Sequence, residues 1–163
     1  FHLLHGQLSF ENNKFREAKS YFLNSIKLLD NPLGHFYLGK VYETEKNLPL
    51  AKAHYQVAAR TDAGFSEKAA FRYAELDFDE NPMRYVQITP FTKDTSGIWY
   101  RIRSKAPMKL GRLKINVFAE RKLVETFYLE SITPQEVVDH QAKLSLPTRI
   151  LEKATLEFSI QTF

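Results

Sequence analysis

A pattern of small and ring-bearing residues occurs twice in this chain, offset by 33 positions. His2-x2-His5-Gly6-x2-Ser9 followed by Ala18-x3-Phe22-x2-Ser25 recurs as His35-x2-Leu38-Gly39-x2-Tyr42 followed by Ala51-x3-Tyr55-x2-Ala58, and the same interval separates glycine from alanine in both copies. Within the first copy Phe15, Ala18, Phe22, Ile26 and Leu29 keep helical spacing, Asn12-Asn13 interrupts it and Asn31-Pro32 stops it, so each copy reads as a pair of antiparallel helices. Such a pair cannot bury its apolar face alone and must stack on a neighbour. Gly6 and Gly39 are expected where the first helix of each pair lies closest to its partner, with Ala18 and Ala51 letting the second helix approach. Phe22 and Tyr55 are expected to fill the space toward the next repeat.

On these residues the chain resembles the tetratricopeptide repeat (TPR) family over about residues 1–60, and Ser66–Asp77 looks like a final capping helix. His2 and His35 stand where a large apolar residue is usual in that family, His5 replaces the usual Leu and Ser9 the usual Tyr. The resemblance implies a scaffold that binds another protein or peptide along its concave side. In the register set by Gly6 and Gly39, the inward positions are Leu3, Gln7 and Phe10, then Phe36, Lys40 and Glu43, with Arg72 of the cap completing the wall. Phe10 and Phe36 would be apolar anchors, and Lys40 and Arg72 would meet an acidic side chain or a terminal carboxylate. The Lys/Asn set with which chaperone-binding members clamp a C-terminal carboxylate is not matched.

At Asn81-Pro82 the apolar period changes from 3.6 to 2. Val86 and Ile88, then Ile98, Tyr100 and Ile102, then Leu113, Ile115 and Val117, and finally Ala154, Leu156, Phe158 and Ile160 alternate in short runs. Turn signals separate them at Asp94–Gly97, Ala106-Pro107, Glu120–Lys122, Thr133-Pro134 and Leu146-Pro147. The expected fold is therefore α+β: an all-α domain of TPR-like hairpins over residues 1–80, then a small antiparallel β-sandwich over 81–163. Leu123–Leu129 is apolar on both parities, and its second face is expected to dock on the helices. The β half resembles the small immunoglobulin-like domains of bacterial envelope proteins through Ile98–Ser104, Ala106-Pro107, Leu113–Val117 and Thr133-Pro134-Gln135. The whole order, with its Leu76…Asn81-Pro82…Arg84-Tyr85 junction, also looks like the C-terminal region of some bacterial M48-type metallopeptidases. That resemblance implies an alternative role: presenting substrates to a zinc site encoded upstream, at a periplasmic or cell-envelope address. The start at Phe1, inside an expected helix, fits a fragment of a longer protein.

Composition narrows the functional classes. A hydrophobic fraction of 44% in 163 residues supports ordered cores, and the absence of cysteine removes disulfides and thiolate metal sites. No apolar run reaches the length of a membrane-spanning helix. The net charge of +4 is uneven. Residues 1–80 carry 10 Lys and Arg against 11 Asp and Glu, a net −1, and residues 81–163 carry 13 against 8, a net +5. That bias suits an acidic partner and falls well short of a nucleic-acid-binding tail.

No His-Glu-x-x-His, phosphate-binding glycine loop or Gly-x-Ser-x-Gly occurs, so no enzyme activity, catalytic residue or cofactor is assigned. His2 and His5 lie one turn apart and His2 is repeat-equivalent to His35, yet the family places packing residues there, and no metal is assigned. Asp77, Asp79 and Glu80 read as a solvated helix end. In the β half, Trp99, Arg101 and Arg103 on one strand with Arg112 and Lys114 on the next form a secondary candidate surface, an aromatic flanked by cations, for a glycan, a lipid head group or an acidic peptide.

Overall fold

The computed structural model describes residues 1–92, 97–143 and 155–163. All of the turn expected at Asp94–Gly97 except Gly97, the Leu146-Pro147 turn and the strand start expected at Ala154 lie outside the described residues. Helices come first and strands after, an α+β chain that divides into two compact units, Phe1–Asp77 and Phe78–Phe163.

The helical unit contains α1 (His2–Glu11), α2 (Phe15–Leu28), α3 (Pro32–Thr44), α4 (Leu48–Ala58) and α5 (Ser66–Asp77). Its connections are short because each turn is made by defined capping chemistry. Asn13 and Lys46, equivalent positions of the two repeats, both take left-handed backbone, φ 60° and 58°. Lys14 N–H then donates to the Ser9 carbonyl and Asn47 N–H to the Tyr42 carbonyl, each at 2.8 Å, the six-to-one bond that closes a helix C-terminus. Helices α3 and α4 begin on asparagines: Asn31 accepts from Gly34 N–H at 2.6 Å, and Asn47 from Leu50 N–H at 3.4 Å, with Pro32 and Pro49 in first turns where no N–H is needed.

Packing repeats with the same period. Ala18, Phe22, Leu38, Val41, Ala51, Tyr55, Ala58 and Ala69 are fully buried. A Cβ built on Gly6 would fall 2.5 Å from the Phe22 ring, and one on Gly39 would fall 2.7 Å from the Tyr55 ring. The glycines therefore seat the aromatic ring of their own partner helix. This refines the expected role of Phe22 and Tyr55: each first fills the hollow inside its own hairpin. Phe22 then stacks on Tyr37 of the second hairpin at 5.1 Å. Ion pairs join successive units in step: Lys19 of α2 reaches Glu45 at the end of α3 at 2.7 Å, and Lys52 of α4 reaches Asp77 at the end of α5 at 3.2 Å. Thus α5 stands to α4 as α3 stands to α2.

The second unit opens with a four-residue helix, α6 (Pro82–Tyr85), which the alternating pattern did not foretell. Among the described residues six antiparallel strands follow: β1 (Val86–Thr92), β2 (Ile98–Ser104), β3 (Leu110–Ala119), β4 (Lys122–Ile132), β5 (Val137–Gln141) and β6 (Leu156–Thr162). They form two three-stranded sheets, ordered β1-β2-β5 and β4-β3-β6. Pro90, which cannot donate a ladder bond, lies on the edge strand β1. Ile98, Tyr100 and Ile102 point to the interior, where Tyr100 stacks on Phe127 of the other sheet at 5.7 Å and meets Phe158 edge-on at 5.7 Å. Val117 pairs with Glu125 and Phe118 with Leu123, so the extra residue is Val124 and the break in parity lies on β4, while Leu113, Ile115, Val117 and Ala119 of β3 are all buried. On β4, Phe127 faces the interior while Tyr128 is exposed against the Phe163 ring at 5.3 Å. Among the described residues no helix is long and apolar enough to cross a membrane.

Candidate functional site

Side-chain contacts join the odd-numbered helices of the helical unit: Lys40 of α3 lies over Phe10 of α1, and Arg72 of α5 pairs with Glu43 of α3. Lys40 leaves α3 so that its Nζ lies 4.6 Å from the ring centre of Phe10 on α1, 5.4 Å from Tyr37 and 5.9 Å from Phe36. Phe10 meets Tyr37 edge-on at 5.9 Å, and Phe36 meets Tyr37 at 5.7 Å, so the rings form a cup under one ammonium group. The negative faces of the rings stabilise the cation without neutralising it. Among the described residues Lys40 makes no ion pair.

One period further along, the equivalent contact is between charges. Arg72 of α5 donates to Glu43 of α3, with Nε at 3.4 Å and a closer bond from Nη2, and its Nη1 donates to Glu75. Glu43 also accepts from the Tyr55 hydroxyl. Burial, then the bond to Glu43, pushes the Tyr55 phenol well above its ordinary pKa, while the bond to Glu43 raises that of Arg72. Phe10 and Glu43 are repeat equivalents, so Lys40 on Phe10 and Arg72 on Glu43 are the same inter-repeat contact made with different chemistry.

Of the expected groove residues, the structure joins Phe10, Phe36 and Lys40 into the cup and joins Glu43 to Arg72. Leu3 packs with Phe10 and Phe36 against the buried core, and Gln7 is half-buried on the same face of α1. Phe36 is less free an anchor than its position implied, since it lies against Tyr55 at 5.9 Å and Phe65 at 5.7 Å. Arg72 is held by two carboxylates, whereas Lys40 contacts only rings among the described residues. Tyr37 and Glu75 were missed by sequence reasoning, and Tyr55 was read as a packing residue only. Glu75 was legible as the i+3 neighbour of Arg72.

The histidines do not assemble as His2, His5 and His35. His2 and His5 face Tyr21 at 6.1 and 5.5 Å. His35 Nε2 donates to the Asp30 carboxylate at 2.8 Å, and its Nδ1 shares a hydrogen bond with His54 Nδ1 at 2.8 Å. His54 is the repeat equivalent of Tyr21, so the His35–His54 pair occupies the place of the His2–Tyr21 contact. Burial and then the neighbouring His35 lower the His54 pKa to about 4, and its ring stacks on Tyr42 at 5.3 Å. Among the described residues no three His, Asp or Glu side chains gather as metal ligands. Asp77 is buried against Lys52, whereas Asp79 accepts from the Thr162 hydroxyl at 3.0 Å, so the acidic run is held by separate partners.

The secondary surface is divided. Trp99, Arg101 and Arg103 lie on the outward parity of β2, but Arg112 and Lys114 belong to β3 in the other sheet, because the chain crosses between sheets after β2. Arg101 makes paired bonds of 2.9 Å to both Asp139 oxygens, which raise its pKa, and covers the Phe91 ring at 4.7 Å. A second cluster, absent from the sequence reading, lies between the sheets: Tyr100, His140 and Glu125, with His140 Nε2 at 3.5 Å from Glu125 Oε1. Burial, followed by the Glu125 charge, pushes the Tyr100 phenol up. No family model, curated protein or solved structure matches this chain.

Proposed function

We propose that the helical unit is a tetratricopeptide-type scaffold that binds a polypeptide along the concave face of α1, α3 and α5, and that it does so without catalysis. The second unit is taken as a small immunoglobulin-like β-sandwich. The observation that supports this reading is Lys40: a cation seated on three aromatic faces and without an ion pair among the described residues, at a position the family resemblance assigns to the concave side. Its chemistry selects an acidic group flanked by an apolar or aromatic residue, since the ammonium meets the carboxylate while the rings of Phe10 and Tyr37 accept the neighbour. Arg72 serves to fix Glu43 and the rim.

Selection of random peptides displayed on phage tests this directly. The wild-type chain should enrich sequences with Asp or Glu beside Phe, Leu or Trp, and Lys40→Glu should lose them or favour Lys and Arg. Recovery of the same peptides by both proteins, or no enrichment by the folded wild type, would sink the proposal.

A further inference from the structure

We propose that the second unit binds a divalent metal ion of the zinc type between its two sheets, held by His140 of β5 and Glu125 of β4 with the Tyr100 hydroxyl of β2 as third donor. Buried polar groups in a folded chain are nearly always hydrogen-bonded. Among the described residues five buried side-chain polar atoms have no such partner, and three of the five are Tyr100 Oη, Glu125 Oε2 and His140 Nε2. Tyr100 is fully buried and the Glu125 side chain is 7% exposed, so bulk water does not satisfy them. A carboxylate removed from water needs a cation. His140 Nε2 stands 3.5 Å from Glu125 Oε1, whereas a charge-assisted hydrogen bond between them would close to about 2.7–2.9 Å. The wider spacing is that of neighbouring donors on a tetrahedral ion, where bonds of about 2.0–2.2 Å place them about 3.3–3.6 Å apart.

Both strong donors are fixed from behind. The Phe127 ring stacks on His140 at 4.0 Å, and Lys143 N–H donates to Glu125 Oε1 at 3.0 Å. Supports of this kind set the ring plane and the carboxylate direction in metal sites. Imidazole with a carboxylate suits zinc. Burial and then the Glu125 charge keep the Tyr100 phenol protonated, so its oxygen is the weaker, neutral donor. Solvent completes the shell from the side on which His140 is partly exposed. Only two of the donors are His or acidic residues, and they come from strands that are not neighbours in the sequence, so no spacing motif announces the site. Among the described residues β4 and β5 are edge strands of different sheets, and the ion joins them. The site is independent of the Lys40 cup.

The test is titration of the whole chain with zinc chloride near neutral pH, after removal of metals with a chelator. Calorimetry should show one ion per chain, and the unfolding temperature should rise when it binds. In a long-range proton–nitrogen spectrum of the wild-type protein, zinc should move the His140 Nε2 resonance and leave the other histidines in place. Glu125→Gln and His140→Phe should each weaken binding by about tenfold or more, and His54→Tyr, in the helical unit, should leave it unchanged. No binding, equal binding by Glu125→Gln or His140→Phe, or loss of binding in His54→Tyr would each overturn the assignment. Where a variant fails to fold, the wild-type spectrum decides: a His140 resonance that zinc does not move leaves Glu125 and His140 as a simple pair, and the proposal fails.

Discussion

Replacing Gly39 with alanine should destabilise the helical unit, although alanine is the better helix former. The added Cβ would lie 2.7 Å from two carbons of the Tyr55 ring. Carbon contacts relax at about 3.5–4.0 Å, so one partner must retreat by about 1 Å. Tyr55 has nowhere to go: it is fully buried, and its hydroxyl is tied through Glu43 to Arg72. Overpacking of this kind costs about 1–3 kcal/mol, against about 1 kcal/mol gained by removing a helical glycine, for a net loss of up to about 2 kcal/mol. Gly6→Ala should behave alike, with Phe22 at 2.5 Å. Gly64, with nothing within 4 Å, is the control, and its change to alanine should be neutral or stabilise by up to about 1 kcal/mol. Urea unfolding followed by circular dichroism reads all three. Tyr55→Leu placed in the Gly39→Ala background should recover part of the loss, giving a coupling energy of about 1 kcal/mol in a double-mutant cycle. If Gly6→Ala and Gly39→Ala stabilise the protein as Gly64→Ala does, the ring-in-hollow packing is wrong.

Lys46 holds left-handed backbone at the α3–α4 turn, so Lys46→Gly should raise stability by about 0.5–1 kcal/mol in the same urea assay. Glu120 and Arg121 both have positive φ in the two-residue β3–β4 turn, and Asn-Gly at these positions should stabilise by about 1–2 kcal/mol, read as a higher melting temperature. His54 has its folded pKa depressed to about 4 from 6.5. Its contribution is therefore complete above pH 6.5, falls as pH drops and is gone below pH 4, a loss of about 1–3 kcal/mol after allowance for partial exposure. His54→Tyr, which copies Tyr21, should flatten stability across that window, and an unchanged acid slope would count against the His35–His54 pair.

The helical half was largely legible because its information is local and written twice. Gly6, Ala18 and Phe22 announce close helix contact, and the second copy confirms that the spacing is not chance. What could not be read was the partner of each small residue: alanine and glycine suggested backbone approach, and only three-dimensional packing shows that Gly39 makes room for Tyr55. Lys46 hid a left-handed turn behind a residue type that rarely adopts one. The expected groove positions were assigned from helix register, and Arg72 looked like a free cation because pairing with Glu43 spans 29 residues. In the β half, alternation placed Tyr100 inside and Arg101 outside, yet sheet membership is a long-range property. Arg112 and Arg101 were grouped as neighbours because β2 and β3 are consecutive, whereas the strand order separates them. The Glu125–His140 contact was invisible for the same reason, and β4's mixed parity reflects the extra residue at Val124.

Proton NMR of the glycine α-protons tests the repeated ring-in-hollow contact most directly. Gly6 and Gly39 should both show Hα resonances shifted upfield by the rings above them, with cross-relaxation from Gly6 to Phe22 and from Gly39 to Tyr55, while Gly64 stays at ordinary shifts. Ordinary shifts at Gly6 and Gly39, with no cross-relaxation to either ring, would contradict the stacked hairpins on which the groove depends.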